Sequence, residues 1–234
     1  QALRYAFFTK RECSKLLGVP QDTPAAAFQS VAVIGAGTMG AGIALACADA
    51  GLPVKLLDSM PGALDESMRR IHRIYDLGVA RGRLSVREAE KRFGRIEAVH
   101  NYAALADSDV VIESMYEDLD TKKAVFIELD AVMKQDAVLL TNTSVFDVDV
   151  IANATRRPQN VAGAHFFTPA NVMKLIEVVN GARTAGSTLL ATVQFGQQLG
   201  KTCVVFRSAG GLVPRRSLTP LNNEMVMLLA EGAL

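Results

Sequence analysis

The chain has 234 residues, 50% hydrophobic and 21% charged, enough apolar content to bury a core and too much for an intrinsically disordered segment. Its 25 Lys and Arg against 24 Asp and Glu leave a formal net charge of +1 with no sustained basic stripe, which argues against nucleic acid and anionic membranes as partners. No apolar run approaches the roughly 18 residues of a membrane span, and the first ten residues lack a signal-peptide core.

The elements are expected in the following order. Residues 1–18 read as an amphipathic linker helix, with Leu3, Ala6, Phe7, Leu16 and Leu17 opposite Lys10, Arg11 and Lys15. Val19 to Ser30, with Pro20 and Pro24, reads as a connector. Val31 to Ile34 is a short buried-type strand that runs into Gly35-Ala-Gly-Thr-Met-Gly40 and a helix ending before Gly51. Val54 to Asp58 is the next strand, and Pro61 starts a long helix with Leu64, Met68, Ile71, Tyr75 and Val79 on one side. Ser85 and Glu88 have capping-box spacing for a shorter helix, and a weak strand precedes His100.

Further on, Val110 to Ile112 and Val138 to Thr141 are strands separated by a helix with Val125, Leu129 and Val132 at helical spacing. Val161 to Phe166 and Leu175 to Val179 are strands as well, followed by a helix over Ser187 to Leu199 and a strand over Thr202 to Phe206. A last helical pattern starts at Leu218, with Leu221, Met225, Leu228 and Leu229. Strands alternating with helices predict an α/β protein: a doubly wound, mostly parallel sheet of the Rossmann type, covered on both faces. The domains are expected at 1–29 (linker helix and connector), 30–209 (nucleotide-binding domain) and 210–234 (the truncated start of an all-α domain).

Two constellations carry chemistry. A glycine-rich GxGxxG turn is weak alone, but here it follows a strand and opens a helix within a βαβ unit. Gly35 would permit the tight turn, Gly37 the approach of a pyrophosphate, and Gly40 close packing of helix on strand. Thr38 and Met39 lie in the same loop, where helix N–H groups face the phosphates. Asp58 closes the second strand 18 residues past Gly40, where a carboxylate binds ribose hydroxyls and repels a 2′-phosphate. NAD is therefore the expected cofactor.

The second constellation is His165 and Glu177, twelve residues apart in a run poor in ionisable groups. Imidazole titrates near neutrality, and a carboxylate behind it fixes its tautomer. Glu177 sits in the apolar run Leu175 to Val179 and needs a partner if buried. Of the other histidines, His72 lies among Arg69, Arg70 and Arg73, and His100 follows the weak strand; both are expected in solvent. At Thr141-Asn-Thr-Ser144, hydroxyls either contact substrate or nicotinamide or cap a turn. Glu117 and Lys122 flank a helix start, where surface helix charge is the plain reading. Cys13, Cys47 and Cys203 form no metal-ligand pattern, so no metal is expected, and a reduced intracellular compartment is.

These residues resemble the L-3-hydroxyacyl-CoA dehydrogenases of fatty-acid β-oxidation. The resemblance runs from about Val31 to the end and rests on Val33-Ile-Gly-Ala-Gly-Thr-Met-Gly40, Val110-Val-Ile-Glu-Ser-Met-Tyr-Glu-Asp-Leu119, Thr141 to Ser144 and, above all, His165-Phe-Phe-Thr-Pro-Ala-Asn-Val-Met-Lys-Leu-Ile-Glu-Val-Val179. It implies that His165 is the base, that Glu177 orients it, and that Ser144 hydrogen-bonds the substrate oxygen. It also implies that Glu117, Lys122 and Asn142 lie at the NAD site, that the substrate is an acyl-CoA, and that the compartment is cytoplasmic, or peroxisomal or mitochondrial in a eukaryote. Residues 1–18 resemble the connecting helix of multifunctional β-oxidation proteins, which implies an enoyl-CoA hydratase module upstream. The family commonly dimerises through its C-terminal helical domain.

Two positions depart from the pattern. Thr168 stands where the family usually has Asn, and Arg215 falls where an active-site Asn is expected in Gly210 to Arg216. A guanidinium cannot reproduce the neutral donor and acceptor of an amide. A second reading, a non-catalytic NAD-binding remnant or interaction module, follows from these departures.

Overall fold

The short apolar runs form strands buried on both faces. The first, β1 (Val31–Ile34), sends Val31 and Val33 into one hydrophobic layer and Ala32 and Ile34 into the other. Two-sided burial is what a parallel sheet with helices on each face requires. This computed structural model describes residues 27–207 and 213–231, together with Arg4, Val19, Pro20 and Thr23. The amphipathic helix expected over residues 1–18 lies, apart from Arg4, outside the described residues.

The other strands are β2 (Val54–Leu57), β3 (Ile96–Val99), β4 (Val110–Glu113), β5 (Val138–Thr141), β6 (Val161–Phe166), β7 (Leu175–Asn180) and β8 (Thr202–Arg207). The helices are α1 (Thr38–Asp49), α2 (Ala63–Ala80), α3 (Val86–Phe93), α4 (Leu119–Val132), α5 (Val148–Ala152), α6 (Gly186–Gln198) and α7 (Val213–Ala230). The strands form one sheet in the order β3-β2-β1-β4-β5-β6-β7-β8. Its first six have the doubly wound dinucleotide-binding order, in which ligands bind at the carboxyl edge where the winding reverses, between β1 and β4. All neighbours are parallel except β6 and β7, which are antiparallel, so β7 and β8 run against the rest.

Helix α1 carries no charge before Asp49, and every residue from Gly40 to Ala48 is buried. It is a core element, as its composition demands. The Ser85 hydroxyl accepts from the Glu88 N–H at 3.2 Å, which starts α3 where the capping spacing placed it. Two boundaries differ from expectation. α2 begins at Ala63, because the chain first turns through Gly62 at φ 76°. α7 begins at Val213 and runs through Pro220, so the apolar pattern from Leu218 marked only its later turns. The weak strand before His100 is β3, at the sheet edge.

Arg157 closes the other end of α4. Its guanidinium donates to the carbonyl of the C-cap residue Met133 (3.1 Å), to Asp130 Oδ1 (3.0 Å) and to the Leu129 carbonyl (3.2 Å), which the Met133 N–H also reaches.

Beside that helix end, just ahead of the central strand β4, Asp109 accepts from the N–H groups of Gln29 (2.6 Å) and Ser30 (2.9 Å) and from Lys134 (2.5 Å). Burial pushes its carboxyl up, but these partners together outweigh it and hold the group below the usual aspartate range. A depressed carboxyl contributes stability that is present above its unfolded pKa and is lost as pH falls through the folded one. The melting temperature is therefore expected to drop below about pH 4, and Asp109→Asn to lose about 1–3 kcal/mol near neutrality while flattening that acid limb. Thermal melts of both chains from pH 3 to 7 check this; parallel curves would count against it.

Candidate functional site

The carboxyl ends of β1, β2, β4, β5 and β6 converge on one crevice. At the end of β1, Gly35 has φ +96°, and a Cβ there would come 2.5 Å from the Ser114 carbonyl oxygen. A Cβ on Gly40 would come 1.7 Å from the Gly35 carbonyl oxygen, so any side chain would push α1 off the loop. Nothing lies within 4 Å of where a Cβ on Gly37 would be, and Gly37 and Thr38 are exposed. Gly37 is also the N-cap of α1 and supplies no side chain to answer the first-turn N–H groups. Open space above uncapped N–H donors at the positive end of a helix fits a dinucleotide pyrophosphate.

Asp58 follows β2. Its Oδ2 accepts from the Ala36 N–H at 2.6 Å and its Oδ1 from the Met60 N–H at 2.8 Å, which ties the glycine loop to the end of the second strand. The carboxylate is half-buried and keeps lone pairs for ribose hydroxyls.

Met39, Glu117, Asn142, Ser144 and His165 line a cleft of about 370 Å³, with Ser114 and Thr168 among its other walls. Glu117 is its organiser: it accepts from the Thr143 hydroxyl (2.9 Å), the Ser144 N–H (2.7 Å) and the Ser144 hydroxyl (3.2 Å). Thr143 Oγ1 in turn accepts from the N–H groups of Val145 and Phe146. The turn-capping role that the Thr141 to Ser144 segment could have played thus belongs to Thr143, and Ser144 is left facing the cleft. Asn142 Oδ1 accepts from the Phe166 N–H at 2.8 Å, joining the end of β5 to that of β6.

Lys122 does not line the cleft. The plain reading of it as surface helix charge is overturned: it is 1% exposed, on the same stripe of α4 as Val125, Phe126 and Leu129. Its ammonium donates to Glu113 Oε1 at 2.8 Å and lies 3.5 Å from Glu117 Oε2. Glu113, 0% exposed, also accepts from the Met115 N–H (2.7 Å) and, at Oε2, from the Thr141 hydroxyl (2.7 Å). Glu113 is the site residue that sequence reasoning missed. The signal was there, since a carboxylate closing the apolar run Val110 to Ile112 needs a partner for the reason Glu177 does.

His165 and Glu177 are directly paired residues of the antiparallel β6–β7 ladder. Side chains opposite one another on such a ladder share a face, and here His165 Nδ1 lies 2.8 Å from Glu177 Oε2. Their side chains are 17% and 5% exposed, and the Phe167 ring stands edge-on to the imidazole at 4.8 Å. With Nδ1 engaged by the carboxylate, Nε2 is the nitrogen free to accept a proton. His72 pairs with Asp76 at 2.9 Å as well, but both side chains are more than half exposed on α2, a solvated pair as expected. Burial, not distance, separates the two. His100 is exposed too.

Thr168 sits at the rim with its hydroxyl 2.9 Å from Met39 Sδ. Arg215 lies within α7.

Comparison with known proteins gives a consistent picture. Residues 30–209 match the family described as "3-hydroxyacyl-CoA dehydrogenase, NAD binding domain". The chain is 38% identical, over its whole length, to the peroxisomal bifunctional enzyme of Cavia porcellus. It is 33% identical, over 97% of its length, to a fatty acid oxidation complex subunit alpha from Psychrobacter cryohalolentis. It spans 32% and 31% of those relatives. Among solved structures, 3-hydroxybutyryl-CoA dehydrogenase from Escherichia coli K12 superposes with a TM-score of 0.83 at 39% identity, covering 89% of this chain and 44% of that one. With the glycine loop, the Asp58 brace and the doubly wound sheet already in view, the match is to architecture and sequence at once: the chain belongs to the 3-hydroxyacyl-CoA dehydrogenase family and contains its NAD-binding domain.

Proposed function

We propose that this chain serves the NAD-dependent oxidation of (S)-3-hydroxyacyl-CoA to 3-ketoacyl-CoA in fatty-acid β-oxidation, with His165 as base and Glu177 as the carboxylate that orients it. The observation that carries the reading is the buried His165–Glu177 pair, set beside the cleft that opens onto the glycine loop. NAD, when bound, accepts the hydride that leaves C3 of the substrate. His165 Nε2 takes the proton of the 3-hydroxyl as the C–O bond becomes a carbonyl, and Glu177 stabilises the imidazolium that results. Ser144 presents its hydroxyl to the substrate oxygen, exchanging its bond to Glu117 for one to the reacting group. Glu117 with Lys122 behind it, and Asn142, hold the cofactor side of the cleft. Asp58 selects NAD over NADP.

Several wider assignments rest on the relatives. A bifunctional relative supports an enoyl-CoA hydratase module upstream, joined through residues 1–29. Residues 210–234 would open a helical domain. Exposed Leu221, Met225, Val226, Met227 and Leu229 on α7 support further packing there, including a homodimer. A location in peroxisome, mitochondrion or bacterial cytoplasm fits relatives from a peroxisome and a bacterium. No helix of the described residues is long and apolar enough to cross a membrane.

The test is direct. Incubated with NAD and (S)-3-hydroxybutyryl-CoA, the chain is expected to generate absorbance at the NADH wavelength, and far less with NADP. NAD binding measured by calorimetry with no NADH formed would instead establish the second reading, a nucleotide-binding module without turnover. Thr168 is the described residue that favours that alternative, because it stands in place of the family's usual Asn and its hydroxyl is turned to Met39.

A further inference from the structure

The antiparallel turn between His165 and Glu177 is held by a cation that takes no part in the chemistry described above. Lys201 is 8% exposed. Its ammonium donates to the Ala170 carbonyl at 2.7 Å and the Met173 carbonyl at 2.7 Å, and lies 5.8 Å from the centre of the Phe166 ring. Burial, followed by the nearby Lys174, lowers its pKa, and no carboxylate lies within ion-pair distance of it among the described residues. A buried ammonium is costly unless its donors are used. Both of the bonds it makes go to one connector.

That connector, residues 167–174, is also tied at its end, where the Thr202 N–H donates to the Lys174 carbonyl at 2.6 Å. Pro169 O accepts from the N–H groups of Val172 and Met173, both at 2.9 Å, which folds the chain into a tight turn. Ala170 is buried where a Cβ on Gly42 of α1 would come within 3.1 Å of it, and Thr168 touches Met39 of the same helix. Val172 and Met173 at the tip are exposed. The carbonyls that Lys201 holds bracket Asn171 and Val172, one before that pair and one after it on the return toward β7. Lys201, just ahead of β8, thus contacts the turn that continues directly from the Phe167 and Thr168 walls of the cleft.

We propose that Lys201 is a positioning residue of the substrate side of the site: it fixes the 167–174 turn, so that Phe167 and Thr168 wall the cleft beside His165. The effect on turnover rests on the dehydrogenase reading above, whereas the effect on the turn does not. Lys201→Met keeps the stem and removes the donors, leaving the Ala170 and Met173 carbonyls without them.

The experiment measures two things on the full chain. Hydrogen exchange followed by mass spectrometry is expected to show amides of residues 167–174 exchanging roughly tenfold faster in Lys201→Met, with the peptides of α1 and β4 unchanged. With (S)-3-hydroxybutyryl-CoA, kcat/KM is expected to fall roughly tenfold while the calorimetric Kd for NAD stays within about twofold. Exchange that rises evenly across the chain would overturn the proposal, since a general loss of stability does that. So would unchanged exchange in the turn, or a loss of NAD affinity that parallels the loss of turnover. If the unsubstituted chain forms no NADH, the dehydrogenase reading fails by itself, and the exchange comparison alone decides whether Lys201 fixes the turn. Should Lys201→Met not fold, Lys201→Gln, whose stem is too short to reach both carbonyls as the ammonium does, is taken through the same two measurements, and the same results support or overturn the proposal.

Discussion

Replacing His165 with alanine is expected to lower kcat/KM for hydroxyacyl-CoA oxidation by about 10²–10⁴, the range that a positioned general base supplies, while leaving NAD affinity nearly unchanged. The separation follows from where the groups sit. The glycine loop and the Asp58 brace lie at the ends of β1 and β2 and the start of α1, while His165 lies near the end of β6 and lines the cleft. Alanine also strips the imidazole from a carboxylate that is 5% exposed, so some loss of stability is expected in the same variant. His165→Gln, which keeps a polar side chain near Glu177, distinguishes the two effects: it should melt closer to the unsubstituted chain and be just as inactive. Glu177→Gln should retain more activity than either, because it disturbs the orientation of the base without deleting it. Turnover by His165→Ala within about threefold of the unsubstituted chain would remove His165 from the role of base.

The second large effect is on stability. Lys122→Met is expected to cost about 3–5 kcal/mol, because it leaves the Glu113 carboxylate buried without its cation. For a domain of this size that is a fall of roughly 10 °C in melting temperature. Glu113→Gln alone should also destabilise, since the buried ammonium then keeps only the partly exposed Glu117 carboxylate at 3.5 Å as a counter-charge, besides the Met115 carbonyl at 3.4 Å. The double variant should recover most of the loss, as neutral replacements of both members of a buried pair are often tolerated. The consequence reaches the cofactor side. Glu113 binds the Met115 N–H and the Thr141 hydroxyl, and Lys122 steadies Glu117, so NAD affinity should weaken with Lys122→Met even where the protein remains folded. Melting curves and NAD titrations of the two single variants and the double one check both points. Additive losses of under about 1 kcal/mol each would mean the pair does not act as a unit.

Much of this arrangement could be read from the chain itself. The glycine turn between a strand and a helix, Asp58 after the second strand, and the histidine and glutamate at strand ends all follow from local pattern, and local pattern survives folding. What could not be read depends on partners distant in sequence. The reversal of β7 turns a separation of twelve residues into a direct cross-strand pair; the eight-residue connector is too short for a parallel crossover, but the register that sets His165 opposite Glu177 comes from the ladder itself. Lys122 is a more instructive case. It stands on the stripe formed with Val125, Phe126 and Leu129, so helical periodicity pointed inward, yet residue type suggested the surface. Its partner, Glu113, resolves the conflict from another element. Lys201, between Gly200 and the last strand, gave no such hint, because the carbonyls it binds come from a turn about thirty residues upstream.

The direct opposition of His165 and Glu177 on the β6–β7 ladder has an evolutionary consequence. Backbone pairing, rather than the connector, sets the spacing of the two side chains, so the exposed tip residues Val172 and Met173 can change side chain without moving the pair as long as the ladder keeps its register. A slip of one residue in pairing, by contrast, would move one partner to the opposite face of the sheet and abolish the pair in a single step. The geometry of the pair is thereby insulated from side-chain change at the tip of the connector.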